Sequence, residues 1–495
     1  MMKRLLILIL ALITLVGCSN KQAVYVEPEV NSVFYEIYVG SFYDSDGDGM
    51  GDLKGVRQKL DYIQYDLGAT GVWLMPINPS PTYHKYDVMD YKDIDPQYGT
   101  LEDFDALVQE MDERGMDLIL DLVLNHSSTQ HPWFKEAKEA LLNDNCDVTE
   151  TCDYYNFSYE PVIGYHMLYS NVWYEGGFWD QMPDLNLDNE SLREEIVDIA
   201  QFWLDKGVDG FRLDATTHFY DDSGEKNIEF LRWFYDEVKT INSNAYVVGE
   251  AWTGDLIVHD MYRSGIDSFF NFSGSQNSGY IVKALRSQNG ERLAEQVETY
   301  NTKLKANNPN GIDAVFLSNH DNNRSAGYLV TLEDQKMAAN MYLLMPGNVF
   351  IYYGEEVALK GSGIDENKRL PIPWNDKGDN MPKGPENADY TQSEYTYVDK
   401  ALNDNDSLLN HYQKVIQIRH QYPSISRGTI ETVDLGDSAL YALEHAGEVL
   451  VVHNLGEETI EFDLEHKSIV VVYGEASSKD NTVNIKGNSS IVIEK

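Results

Sequence analysis

A short apolar run of strand type followed by a helical stretch recurs eight times, and this repeat constrains the fold more than any other feature of the chain. The runs fall at residues 33–38, 71–75, 117–124, 208–213, 245–249, 268–272, 314–318 and 349–353. Between them apolar residues return at three- and four-residue steps, as across 101–114, 191–206 and 227–240, which is the period of an amphipathic helix. Parallel neighbours need a long crossover, so strand–helix alternation implies a parallel sheet. Eight such units predict an α/β fold, a (β/α)8 barrel built from residues 31–127 and 187–426.

Two segments break the alternation. Residues 128–186 are rich in Tyr, Trp, Asn and Gly and too long for a plain loop, so they read as a subdomain inserted after strand three. From 427 to 495 short β-branched runs appear, such as 449–452 and 468–472, and predict a small antiparallel β domain. A chain of 495 residues is ample for a barrel with these additions.

Residues 1–18 read as a targeting segment. Lys3 and Arg4 supply a positive end, and the apolar run 5–16 is short for a bilayer span. It stops at Leu15-Val16-Gly17-Cys18, which resembles the lipobox of bacterial lipoproteins. That resemblance implies signal removal, a lipid on Cys18, a tether over 19–30 and an extracytoplasmic protein anchored to a bacterial membrane, at the cell surface or in the periplasm. Cys146 and Cys152 then remain, six positions apart, as a disulfide pair or two free thiols.

Net charge is −43, from 81 acidic and 38 basic residues. Nucleic acid and other polyanions are thereby excluded as partners, whereas a neutral polymer meets no such repulsion. Most of these acids form a solvated surface; the informative ones sit at strand ends.

In a βα barrel the carboxyl ends of the strands line the active face. Asp214 ends Gly210-Phe211-Arg212-Leu213-Asp214, Glu250 ends Tyr246-Val247-Val248-Gly249-Glu250, and Asp321 follows Ser318-Asn319-His320. Any one of these could merely cap the next helix; three on three strands point to chemistry. Retaining glycoside hydrolysis needs one ionised carboxylate as nucleophile and one protonated carboxyl as acid and then base. Arg212, two residues before Asp214, shares its side of the strand and can hold it ionised. Glu250 needs a raised pKa, from an apolar pocket or a neighbouring negative charge.

These segments, with Asp121-Leu122-Val123-Leu124-Asn125-His126 and Met182-Pro183-Asp184-Leu185-Asn186, resemble the ordered motifs of glycoside hydrolase family 13, the α-amylase family. The resemblance covers about residues 30–425. It implies Asp214 as nucleophile, Glu250 as acid/base and Asp321 as the acid holding sugar hydroxyls. It also implies sugar contacts from His126, His320, Tyr86 and Asp87, beside Arg212. Lys85 stands where many members have Gly. Thr217 replaces a Lys that commonly helps bind the leaving side.

Asp44-Ser45-Asp46-Gly47-Asp48-Gly49-Met50-Gly51-Asp52 alternates acids about a glycine like the start of an EF-hand loop. Gly55 rather than Glu closes it, so the expectation is a Ca²⁺ loop that is not an EF-hand, with the Met50 carbonyl as one ligand. The resemblance implies a second Ca²⁺ at Asn125, Asp184 and the His218 carbonyl. The expected activity is hydrolysis of α-1,4-glucosidic bonds in starch and maltooligosaccharides by a monomer. Neopullulanase- or cyclomaltodextrinase-like, oligo-α-glucosidase and 4-α-glucanotransferase activities are the alternatives within the family. A glucan-binding lipoprotein without catalysis is the alternative outside it, and would lack at least one of the three carboxylates.

Overall fold

The computed structural model describes residues 25–220, 223–389 and 395–495, so the signal and Cys18 lie outside the described residues. Eight strands make the central sheet: β1 (Val33–Ile37), β2 (Gly71–Leu74), β3 (Asp117–Leu122), β7 (Gly210–Leu213), β8 (Tyr246–Gly249), β9 (Ser268–Phe269), β10 (Ala314–Phe316) and β11 (Asn348–Tyr352). They pair in the order β10-β11-β1-β2-β3-β7-β8-β9, and a parallel bridge from Phe270 to Ala314 closes the ring into the barrel. The sixth strand is shorter than its apolar run, because Asn271 turns the chain: its side-chain oxygen accepts the Gly274 N–H at 2.9 Å.

Short polar residues start the helices that wrap the barrel. Thr100 and Asp103 form a capping box on Leu101–Glu113, and Asn189, Ser223 and Asn289 each cap the helix that follows. The helices bury apolar stripes such as Phe104, Leu107, Val108 and Met111 against the outer face of the strands.

Alternate strand residues point inward, and the barrel interior changes character along the strands. Low in the barrel it is aromatic: Phe34, Trp73, Phe270, Phe316 and Phe350 form a separate core with Ile119 and Val248. Two residues further along the same strands stand Glu36, Asp121 and Glu250, with Arg212 two residues after Gly210. Gly210 is required at its place, since a Cβ there would meet the Tyr246 carbonyl oxygen at 1.8 Å.

Between β3 and β7 lies a small sheet of β4 (Phe157–Ser158), β5 (Tyr165–Tyr169) and β6 (Val172–Glu175), ordered β4-β6-β5. Cys146 and Cys152 are joined by a disulfide just before it. After the barrel, β12 (Ile430–Thr432), β13 (Leu440–His445), β14 (Val449–Asn454), β16 (Ser468–Tyr473) and β19 (Ser489–Glu494) form an antiparallel sheet. A second sheet, β15 (Ile460–Asp463), β17 (Ala476–Lys479) and β18 (Thr482–Ile485), packs Phe462, Val483 and Ile485 on Leu450, Val452 and Ile491 of the first.

The aromatic floor supports everything above it. Phe350 is 1% exposed and contacts the rings of Phe34, Trp73 and Phe270. Phe350→Ala should therefore cost about 3–5 kcal/mol, read as a lower denaturation midpoint in guanidinium.

Candidate active site

Arg212 on β7 is the hub of the upper barrel. Register places Asp121 of β3 beside it and Val248 of β8 on its other side. Its Nη1 reaches Asp121 Oδ1 at 2.8 Å and Asp214 Oδ1 at 2.6 Å, while Nη2 lies 2.9 Å from Glu250 Oε2. The guanidinium also stands over the Trp73 ring at 5.3 Å. Its neighbours raise its pKa well above the ordinary value despite burial, so it stays charged.

One cation among three carboxyls leaves an excess of negative charge. Burial, with the Asp214 charge, outweighs Arg212 and lifts Asp121 to about 7. The Glu250 carboxyl is pushed up in the same way, by burial first, then by Asp214 and Asp321 against Arg212. The backbone after Asp214 acts against that upward shift. Ala215 adopts a left-handed conformation, φ 48°, and its N–H donates to Glu250 Oε2 at 3.0 Å. Strain of this kind in a non-glycine residue recurs at functional sites.

Asp321 has the opposite balance. His320 Nε2 is 3.1 Å and Arg369 Nη2 3.1 Å from its carboxylate oxygens. Burial alone would raise its pKa, but these cations hold it well below the usual carboxylate range. His320 Nδ1 is in turn 2.6 Å from Glu36 Oε1, and the two carboxylates overcome burial to lift the imidazole to about 10. Tyr86 completes the ring of contacts. Its hydroxyl donates to Asp121 Oδ2 at 3.1 Å, and its ring stacks on His320 at 5.7 Å.

Asp214, Glu250, Asp321, Tyr86 and His126 line one cavity of about 330 Å³, with Phe178, Thr217, His218, Trp252 and Arg369. His126 is buried, held neutral by that burial, and its Nε2 has no hydrogen-bond partner. Asp87 stands apart from this group. It is fully buried; its Oδ1 accepts from Ser80 at 2.6 Å and from Thr82, bracing the loop after β2, and its Oδ2 has no hydrogen-bond partner.

Lys85 explains why glycine suits its position. Its φ is 67°, and its buried ammonium pairs with Asp95 at 2.7 Å and donates to Gln97 at 3.0 Å. The residue fills the space below the loop and is absent from the cleft wall.

The acidic loop brings Asp44, Asp46 and Asp48 together, with oxygens within 4.8 Å of one another. Three carboxylates make a hard, all-oxygen donor set that fits a divalent cation such as Ca²⁺. Asp52 caps the helix Leu53–Gln58 through the Gly55 N–H and accepts from both the Ser45 amide and hydroxyl. Asn125, Asp184 and His218 line a second cavity of about 370 Å³, where Asn125 donates to Asp184 at 3.3 Å. Lys226 lines it too, its ammonium 2.8 Å from Asp188.

Sequence reading missed Glu36, Arg369, Phe178 and Trp252. Glu36 was legible in principle, as the inward residue two beyond Phe34. Arg369 lies on a loop after β11, where no period marks it.

Comparison with known proteins places the chain in a class. Residues 36–428 match the catalytic domain of α-amylase, and 442–492 match the C-terminal domain of the α-amylase SusG. The chain belongs to the α-amylase family and is a glycoside hydrolase. It is similar to Alpha-amylase 3 of Dictyoglomus thermophilum, 38% identical over 100% of this chain and 98% of that one. Among solved structures it is similar to Eubacterium rectale Amy13B, 41% identical with TM-score 0.90 over 95% of this chain and 97% of that one. The α-amylase of H. orenii is 34% identical, TM-score 0.82, over 94% and 99%. An oligo-1,6-glucosidase of Parageobacillus thermoglucosidasius is 29% identical over 88% and 91%.

The Lys85–Asp95 pair is fully desolvated, so breaking it strands a cation. Asp95→Asn should cost about 3–5 kcal/mol, seen as a lower Tm by calorimetry.

Proposed function

We propose that Asp214 and Glu250 cleave α-1,4-glucosidic bonds with retention, and that Asp321, His320 and His126 hold the sugar at the cut. The single guanidinium that touches both carboxyls carries this reading, because it sets them close together across one reaction centre. Asp214 attacks the anomeric carbon while Glu250 gives its proton to the leaving oxygen. The resulting glycosyl ester is then hydrolysed by water, which Glu250, now ionised, deprotonates.

The surroundings support each role. Arg212 pairs with the nucleophile Asp214 at 2.6 Å, and burial with two negative neighbours pushes the Glu250 carboxyl's pKa up. Asp321, kept ionised by His320 and Arg369, accepts hydrogen bonds from sugar hydroxyls and stabilises positive charge growing at the ring. The unpartnered Nε2 of His126 is free to bond another hydroxyl. Tyr86 offers its ring face beside them.

The substrate is starch and its maltooligosaccharides, in keeping with the family and the acidic surface. Thr217 places no amine in the cleft where α-amylases commonly have Lys, which is the one feature favouring the glucosidase or glucanotransferase branches. A Ca²⁺ held by Asp44, Asp46 and Asp48 would brace the loop after β1 and take no part in the chemistry. A second at Asn125, Asp184 and His218 would tie the inserted subdomain to β3. The lipobox-like Cys18 supports an extracytoplasmic, lipid-anchored protein, and the Cys146–Cys152 disulfide suits such a compartment. Among the described residues no helix is long and apolar enough to cross a membrane.

Product analysis over time on soluble starch, pullulan and maltotriose tests the assignment. A spread of maltooligosaccharides from starch with pullulan untouched is expected, and Asp214→Asn should lower the rate at least about 10³-fold. Panose from pullulan, or glucose alone from short substrates, would move the protein to another branch.

A second test uses charge. Asp321 raises the pKa of Glu250, and activity is lost as Glu250 deprotonates. Asp321→Asn should therefore shift the alkaline limb of kcat/KM to lower pH, besides lowering its maximum; an unmoved limb would remove Glu250 as the titrating acid.

A further inference from the structure

A second concavity lies beside the cleft, outside the barrel. Trp252, two residues beyond Glu250, forms part of the cleft wall and is 53% exposed. Its ring lies flat on Phe272, with centroids 5.1 Å apart and planes 8° apart. Phe272 in turn lines a cavity of about 550 Å³ among the helices Asp255–Met261, Tyr280–Ser287 and Gly290–Asn307. A further cavity of about 350 Å³ shares Asp255, Tyr280, Arg292 and Gln296 with it. With four lining residues in common the two form a trough along the helices, and the stacked Trp252–Phe272 pair stands between it and the cleft.

The trough holds unused bonding capacity. Lys283 and Arg292 have no ion-pair partner among the described residues, although the protein carries 81 acids. At the inner end His259 is 5% exposed with neither ring nitrogen bonded, and the neighbouring Tyr300 hydroxyl is unbonded as well. The two rings lie 4.5 Å apart. Donors and acceptors of both signs among aromatic rings suit a neutral polyhydroxylated chain, since a charged ligand would meet repulsion from one set or the other.

We propose that this trough is a second glucan-binding site, which takes the arm of the substrate on the leaving-group side after it passes Trp252. The direction follows from Glu250, the group beside the leaving oxygen. The inference rests on the α-glucan reading of the cleft. Binding there lengthens the stretch of polymer held during cleavage, so long chains gain affinity that short ones cannot.

Calorimetric titration of the full chain carrying Asp214→Asn, with maltotriose and with short-chain amylose, tests this. Amylose should bind more tightly per chain. Adding Arg292→Ala and Gln296→Ala removes two hydrogen-bonding groups from the helix surface and should reduce the amylose-to-maltotriose affinity ratio about tenfold. Ser287→Trp, at an exposed position on the trough wall, should obstruct the site and reduce the ratio independently. A ratio unchanged in both variants would overturn the second site while leaving the cleft assignment intact. Failure of either sugar to bind the parent would instead overturn the glucan reading itself.

Discussion

A buried arginine holds the catalytic end of this barrel together. Removing a guanidinium from water costs several kcal/mol, and the cost is recovered only where carboxylates replace the lost hydration in good geometry. Arg212 has Asp121, Asp214 and Glu250 around it within 2.9 Å. Each carboxyl comes from a different place on the rim, so the cation can be satisfied only when β3, β7 and β8 are in register. Pairing and chemistry are thus set by the same contacts. Below it, the aromatic floor excludes water and keeps the local dielectric low, which strengthens those contacts further.

The surrounding charges then give like groups unlike protonation states. Around Asp321 the cations His320 and Arg369 prevail over burial, and the carboxyl is held ionised. Around Glu250 burial and negative neighbours prevail over Arg212, and its pKa is pushed up. A retaining hydrolase needs this divergence, because one carboxyl must give a proton while others stay charged. The protein obtains it by where it puts two arginines and one histidine, with no change in the acids themselves.

Much of this was legible in the chain. Strand runs were visible because inward and outward faces are both apolar, and Asp214 and Glu250 declared themselves as acids closing such runs. The fold was readable for the same reason: eight βα units admit few closed arrangements. Less was readable in the loops. Arg369 and Trp252 sit where no periodicity operates, and their roles arise from long-range closure of the barrel. Asp87 and Asp52 show how local bonds overlay such positions. Both fall in segments that carry functional residues, yet one bonds Ser80 and Thr82 inside its loop and the other caps a helix. Short acids serve turns and caps as readily as sites, and only packing separates the uses.

The inserted segment forms part of the cleft wall. Phe178 of that segment reaches the cleft and packs on His126 at 5.3 Å and on His218 at 5.1 Å. The segment is anchored close to the reaction: Asp184 bridges to His126, and the Leu185 amide donates to the Asn125 carbonyl at 2.9 Å. Any shift of the small sheet therefore moves the cleft wall without moving Asp214 or Glu250, which are fixed from below by Arg212. The rigid barrel supplies bond cleavage, and the attached segment supplies the width through which a chain must pass. Phe178 from this segment meets Thr217 and Trp252 from the barrel loops on the cleft wall, so the cavity beside Asp214 and Glu250 is shaped by both parts of the chain.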